Sequence, residues 1–123
     1  MARKTLLVAA VALAFAGAAL AASSKTALKV TYWPHGRSQP STTWSLRCVP
    51  AAGTHPAAIR SCAQLRAHPV DLKPATRACT LMPTRTSAQA AIQGTWAGRT
   101  VNRSYRIGCP GWNDLRLVLT GRS

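Results

Sequence analysis

The chain has 123 residues, of which 16 are Lys or Arg and only two are Asp or Glu, so its formal net charge is +14. This length suits one small domain. The positive charge would attract the chain to anionic surfaces, nucleic acid or acidic partners, but it does not specify any of them. The two carboxylates, Asp71 and Asp114, lie far apart in the sequence, which argues against hydrolysis by a carboxylate pair.

Residues 1–21 are predicted to be a signal peptide. Arg3 and Lys4 precede an apolar run over 6–20, and Ala19-Leu20-Ala21 is a small-x-small cleavage site. A membrane anchor is the alternative, but the run is shorter than the about 20 apolar residues of a typical span. We therefore expect a secreted mature domain, residues 22–123, with a net charge of +12 and no membrane attachment after cleavage.

The first half of the mature chain predicts two strands and a helix. Apolar and polar residues alternate over 28–33 and again over 44–48, which is typical of strands with one buried face. Apolar residues then recur at helical spacing over 56–67, and Pro56 suits the first helical position. Residues 70–78 predict an irregular connection.

The second half predicts a hairpin and a last strand. Alternation over 90–96, a tight turn at Ala97-Gly98 and alternation over 101–107 indicate a hairpin that spans residues 88–107. One helical turn is predicted at 112–115, and a final strand at 116–120.

All four cysteines lie in the mature part, and export with an even count argues for two disulfides. Spacing alone leaves three pairings open. Cys48 and Cys62 are close in sequence and both lie on apolar faces, so we pair them, and Cys79 with Cys109 follows by elimination. The sequence has no Cys-x-x-Cys, and its three histidines lack metal-ligand spacing, so neither a metal nor another cofactor is expected.

The segment from Cys79 to Arg85 is the candidate binding site. Leu81 and Met82 lie among polar turn residues, and no periodic apolar face includes them. Cys79 would fix one end of the segment to the body of the domain, and Leu81 would then be offered to a partner. A loop with no binding role is the alternative.

Several motifs are specific in combination. They are Trp44-Ser45-Leu46-Arg47-Cys48-Val49-Pro50, Gly53-Thr54-His55-Pro56, Cys62-Ala63-Gln64-Leu65, Cys79-Thr80, Gly94-Thr95-Trp96-Ala97-Gly98, and Cys109 followed by Trp112-Asn113-Asp114-Leu115. Together they resemble the Streptomyces subtilisin inhibitor-like family of small secreted serine protease inhibitors. The likeness covers nearly all of the mature chain.

This resemblance implies an α+β fold, a two-layer sandwich in which a five-stranded antiparallel sheet carries two short helices on one face. It implies the same disulfide pairing and often a homodimer formed through the sheets. An enzyme is not expected, because the chain lacks paired acid and base groups, metal clusters and nucleophile motifs.

The resemblance also implies a reactive bond between Leu81 and Met82, with Leu81 entering the primary pocket of an extracellular, subtilisin-like or chymotrypsin-like serine protease. The residues that flank this bond in the implied reactive loop are Cys79, Thr80, Pro83 and Thr84. The chain departs from the family at Pro83, where an aromatic residue is usual, and at Ile107, where an Asn that supports the loop is expected.

Two other classes of function are open. A cationic secreted module on the same scaffold would bind nucleic acid or an anionic surface in a strongly salt-dependent way. The scattered single arginines favour an ordinary solvated basic surface over a specific nucleic-acid site. The second class is a related inhibitor scaffold whose target is not a serine protease.

Overall fold

The structure is a computed structural model that describes residues 25–82 and 84–122, so the predicted signal peptide and Pro83 lie outside the described residues. The elements follow in the order β1 (Ala27–Trp33), β2 (Thr42–Arg47), α1 (Ala58–Ala67), a 3₁₀ helix (Pro69–Leu72), β3 (Gln89–Trp96), β4 (Arg99–Arg106) and α2 (Arg116–Thr120). None of the helices in these two ranges is long and apolar enough to cross a membrane.

The strands form a four-stranded antiparallel sheet in the order β2-β1-β3-β4. Val30 at the centre of β1 lies opposite Trp44 of β2 on one side and Ile92 of β3 on the other. β3 and β4 form the predicted hairpin, and its turn has positive φ at Ala97 and Gly98. The predicted strands of the first half and the hairpin are therefore confirmed.

The predicted fifth strand is wrong, because Arg116–Thr120 forms the short helix α2. Three consecutive residues of this segment, Leu117–Leu119, are all buried, whereas an edge strand over one core exposes every second side chain. Gly121 ends the helix in the left-handed conformation and donates its N–H to the Leu117 carbonyl. The fold is thus α+β with four strands and two helices in the described residues.

The core lies between one face of the sheet and the two helices. Its fully buried members include Leu46 of β2, Leu65 of α1 and Leu119 of α2, together with Val30 and Ile92. The predicted amphipathic helix is confirmed as α1, which begins two residues after Pro56 and buries Cys62.

Both predicted disulfides are present. Cys48–Cys62 joins the end of β2 to α1, and Cys79–Cys109 joins the long connection before β3 to the turn after β4. Their sequence separations of 14 and 30 residues correspond to about 3 and about 3.5 to 4 kcal/mol in the chain-entropy treatment.

Candidate functional site

Leu81 and Met82 lie on the surface in the connection between the 3₁₀ helix and β3. Their exposed fractions are 62% and 93%, which places neither side chain in the core. Large apolar side chains are usually buried, so a pair of adjacent exposed ones in a connection is a candidate contact surface.

The chain before Leu81 is held from two directions. The disulfide fixes Cys79 to Cys109, and Thr80 makes two hydrogen bonds to the carbonyl oxygen of Gly108. The Thr80 backbone N–H donates at 2.7 Å and its hydroxyl Oγ1 donates at 2.9 Å. The residue that precedes Leu81 is therefore fixed to the turn after β4 by covalent and polar contacts.

Leu81 itself rests on the backbone of Gly108. Gly108 has a φ of +81°, and a Cβ added there would lie 2.6 Å from the Cβ of Leu81. Only glycine combines this conformation with so close an approach. Sequence reasoning missed this role, although a glycine directly before Cys109 in a turn was the available signal.

The chain after the Leu81–Met82 bond is held by a separate set of contacts. Thr84 donates its N–H to Ser87 Oγ at 2.8 Å, and Ser87 donates its N–H back to the Thr84 carbonyl at 3.2 Å. A Cβ on Gly36 would lie 1.9 Å from the carbonyl oxygen of Arg85, so the turn after β1 packs directly against this side of the loop. Pro83, the remaining predicted flanking residue, lies outside the described residues.

Ile107 occupies the position at which the family pattern predicts a supporting Asn. Its side chain is 42% exposed, and its backbone N–H donates to the Ala88 carbonyl at 3.2 Å. On the Cys79 side of the loop, the Gly108 carbonyl supplies polar support by accepting from Thr80.

The surface beside the loop is positively charged. Arg37, Arg85 and Arg106 line one shallow cavity next to Thr84, and Arg77 lines another next to Thr80. This distribution favours approach to a partner whose contact surface is acidic.

His55 has a structural position. Its Nε2 lies 2.8 Å from the Val118 carbonyl oxygen, and its Nδ1 lies 3.0 Å from the backbone nitrogen of Ala57. Since the Ala57 N–H can only donate, Nδ1 accepts and Nε2 carries the proton, which describes a neutral imidazole. Burial lowers the pKa of His55, and the hydrogen bond to Val118 opposes that shift only in part.

A second polar cluster joins residues that the sequence keeps apart. His68, Asp71 and Asp114 each place one potential ligand atom within 4.8 Å of the others. The two carboxylates, which lie far apart in the sequence, are thus neighbours in the fold, and one of the three histidines lies beside them. The signal in the sequence was the His68 to Asp71 spacing of three residues, which places two side chains on one side of a helical turn.

The position of Asp71 is set by its backbone as well as by its side chain. Tyr105 donates its hydroxyl to the Asp71 carbonyl oxygen at 2.6 Å, and Arg103 donates to the same oxygen. Burial raises the pKa of the Asp71 carboxyl, and the nearby carboxylate of Asp114 raises it further. Burial likewise raises the pKa of Tyr105 well above its ordinary value.

Comparison with known families gives one result that covers most of the chain. A family model described as subtilisin inhibitor-like matches residues 22–108. The matched range contains the four strands, α1 and the segment from Cys79 to Arg85, and it ends one residue before Cys109. A comparison with curated proteins found no significant match.

Proposed function

The chain belongs to the subtilisin inhibitor-like family, and on this premise we propose that it blocks a subtilisin-like serine protease by presenting the Leu81–Met82 bond as a substrate. Proteins of this family are protease inhibitors and not enzymes. The observation that carries the choice of bond is the exposed Leu81–Met82 pair, which lies between two separately anchored stretches of backbone.

Binding would combine an apolar contact with a low entropic cost. Burying a leucine side chain in a protease pocket is worth about 1.5 to 3 kcal/mol. The disulfide at Cys79 and the Thr80 hydrogen bonds already restrict the loop, so little further freedom is lost when it docks. More of the contact energy then remains as affinity.

The same anchors explain why cleavage would not release the protease. If the Leu81–Met82 bond is cut, Cys79 and Thr80 keep the new acyl group on the body of the domain, and the Thr84–Ser87 turn keeps the new amine near it. A high effective concentration of the amine favours resynthesis of the bond over departure of the product. The inhibitor needs no catalytic residue of its own.

The identity of the pocket residue sets the expected class of protease. The aliphatic side chain of Leu81 fits the apolar primary pockets of subtilisin-like and chymotrypsin-like enzymes, whereas a trypsin-like pocket with a buried carboxylate requires Arg or Lys. Arg77 and Arg85 lie outside the predicted bond and do not supply that cation.

Titration of subtilisin and trypsin with the purified mature domain tests this assignment. We expect the wild type to block subtilisin and spare trypsin, and Leu81→Arg to shift the preference towards trypsin. The matched control is Ile59→Arg, because Ile59 is 75% exposed on α1 and lies outside the loop. If neither the wild type nor Leu81→Arg slows any serine protease, the proposal is wrong.

Salt dependence and the effect of Leu81→Asp separate the cationic binding module from the inhibitor. A module that binds anionic surfaces would lose affinity steeply with added salt and would be indifferent to Leu81→Asp. An inhibitor that uses Leu81 would lose activity in Leu81→Asp at any salt concentration.

We also propose that the mature domain begins at Ala22 after removal of residues 1–21. The family match begins at residue 22, and the two disulfides suit an oxidising compartment outside the cell. A homodimer formed through the sheet, which the family resemblance implies, stays a prediction.

A further inference from the structure

The polar cluster formed by His68, Asp71 and Asp114 has the composition of a metal site. It offers one imidazole nitrogen and two carboxylate oxygens, all within 4.8 Å of one another. His68 Nδ1 lies 4.0 Å from Asp114 Oδ2. The cluster lies where the 3₁₀ helix meets the segment that follows Cys109.

Asp71 supplies a second, independent observation. The residue is only 6% exposed, and its Oδ2 is buried with no hydrogen-bond partner among the described residues. A buried carboxylate oxygen without a hydrogen-bond donor is costly, because the hydrogen bonds that it made to water are not replaced. A cation between the three side chains would satisfy it.

The charge distribution of the chain makes this arrangement unusual. Asp71 and Asp114 are its only two acidic side chains, yet they lie side by side although residues 22–123 contain 14 Lys and Arg residues. Arg103 donates from its two terminal nitrogens to the carbonyl oxygens of Asp71 and Pro110. Neither of these hydrogen bonds reaches the Asp71 carboxylate.

We infer that His68, Asp71 and Asp114 bind one divalent transition-metal ion, for which Zn²⁺ is the best match. The imidazole nitrogen selects for Zn²⁺ over Ca²⁺ and Mg²⁺, which prefer all-oxygen sites. Three protein ligands leave a fourth tetrahedral position for water.

The site needs a modest closure around the ion. Zinc–ligand bonds of about 2.0 to 2.2 Å place neighbouring ligand atoms about 3.4 Å apart in a tetrahedron. Ligand atoms that now lie up to 4.8 Å apart must therefore approach one another by up to about 1.4 Å. His68 and Asp114 can supply this movement by side-chain rotation, because 40% and 49% of their side-chain surfaces are exposed, while buried Asp71 stays fixed.

Metal binding would join two parts of the chain that the disulfides do not link directly. His68 and Asp71 belong to the connection after α1, and Asp114 follows Cys109, which is the disulfide partner of Cys79 beside the predicted reactive bond. Asp114 also lines the shallow cavity that Thr80 and Gly108 share. A bound ion would thus stabilise the segment against which the loop is anchored.

The test is calorimetric titration of the disulfide-intact mature domain with ZnCl₂ and, separately, CaCl₂ in a buffer free of phosphate and chelators. We expect one Zn²⁺ per chain, no comparable Ca²⁺ binding, and a rise of about 5 °C or more in the unfolding midpoint at saturating Zn²⁺, reversed by EDTA. These readouts do not depend on protease inhibition, so the outcome is separable from that of the proposed function.

Three variants and one control locate the ligands. His68→Ala and Asp114→Asn should each weaken Zn²⁺ binding by at least about tenfold, a loss that Asp71→Asn should share. The control is His35→Ala, because His35 is an exposed histidine outside the cluster and should leave the affinity unchanged. Asp114→Asn keeps the test decisive if Asp71→Asn fails to fold, since Asp114 is exposed.

Three results would overturn the inference. The first is the lack of saturable Zn²⁺ binding to the wild type. The second is Zn²⁺ binding that keeps its wild-type affinity in both Asp114→Asn and His68→Ala. The third is tighter binding of Ca²⁺ than of Zn²⁺, which would exclude the imidazole as a ligand.

Discussion

Replacing Gly108 with alanine tests whether the backbone of the turn after β4 positions the proposed reactive residue. A Cβ at Gly108 would lie 2.6 Å from the Cβ of Leu81, 3.1 Å from its Cγ and 3.2 Å from its Cδ1. Carbon atoms in contact prefer separations of about 3.5 to 4.0 Å, so Leu81 must move by about 1 Å. The move displaces the side chain that the proposal assigns to the protease pocket.

Gly98→Ala is the matched control for the backbone part of this change. Gly98 has a φ of +79°, close to the +81° of Gly108, but a Cβ there would have no atom within 4 Å. Both substitutions force alanine into the left-handed region, which costs about 1 to 2 kcal/mol. In a domain of this size, each kcal/mol lost from the free energy of unfolding lowers the unfolding midpoint by about 4 to 8 °C.

The assay compares the inhibition constant against subtilisin with the thermal unfolding midpoint for both variants. We expect Gly98→Ala to lose stability and keep the wild-type inhibition constant. Gly108→Ala should lose at least as much stability and also inhibit about 10-fold to 100-fold more weakly, because a displacement of about 1 Å at the reacting centre has effects of that size. Equal inhibition constants for the two variants would refute the role of Gly108 in positioning Leu81.

Two further predictions concern the disulfides and pH. Replacing Cys79 and Cys109 by serine should lower the free energy of unfolding by about 3.5 to 4 kcal/mol and turn the inhibitor into a substrate that subtilisin cleaves. The same change at Cys48 and Cys62 should lower it by about 3 kcal/mol and preserve resistance to cleavage. Mass spectrometry after incubation with subtilisin distinguishes the two results. Burial lowers the pKa of His55, so the unfolded chain binds a proton more readily than the folded protein. The free energy of unfolding, measured in urea, should therefore fall as the pH drops below the ordinary pKa of 6.5 towards the pKa in the folded protein. A His55→Gln variant with the same pH dependence as the wild type would contradict this.

The strands were predictable because their signal is local. In β4, buried Val101, Arg103 and Tyr105 alternate with exposed residues, and the first half of β1 alternates in the same way. The helix α2 was not predictable in this way, because its sequence of branched residues suits a strand. Two residues distant in sequence hydrogen-bond to the backbone of this helix and favour its conformation. Gln64 Oε1 accepts from the Val118 N–H, and His55 Nε2 donates to the Val118 carbonyl oxygen.

The polar cluster shows a different limit of sequence reasoning. The pair His68 and Asp71 could be read from its spacing, but Asp114 lies 43 positions beyond Asp71 and reaches it only through the hairpin and the turn at Cys109. No local pattern encodes that approach. The carboxylate pair therefore becomes visible only when the segment after β4 is placed against the 3₁₀ helix.

The contacts of the loop give reason to expect that the side chain at position 107 contributes less in this chain than the family pattern suggests. An Asn there would support the loop through its side chain, but Thr80 is bound to the Gly108 carbonyl by two hydrogen bonds that involve no side chain from position 107. The disulfide at Cys109 and the contact of Leu81 with Gly108 act on the same two residues of the turn. Three different interactions thus converge on Gly108 and Cys109, so we expect substitutions at Ile107 that keep the backbone in place to leave the inhibition constant against subtilisin unchanged.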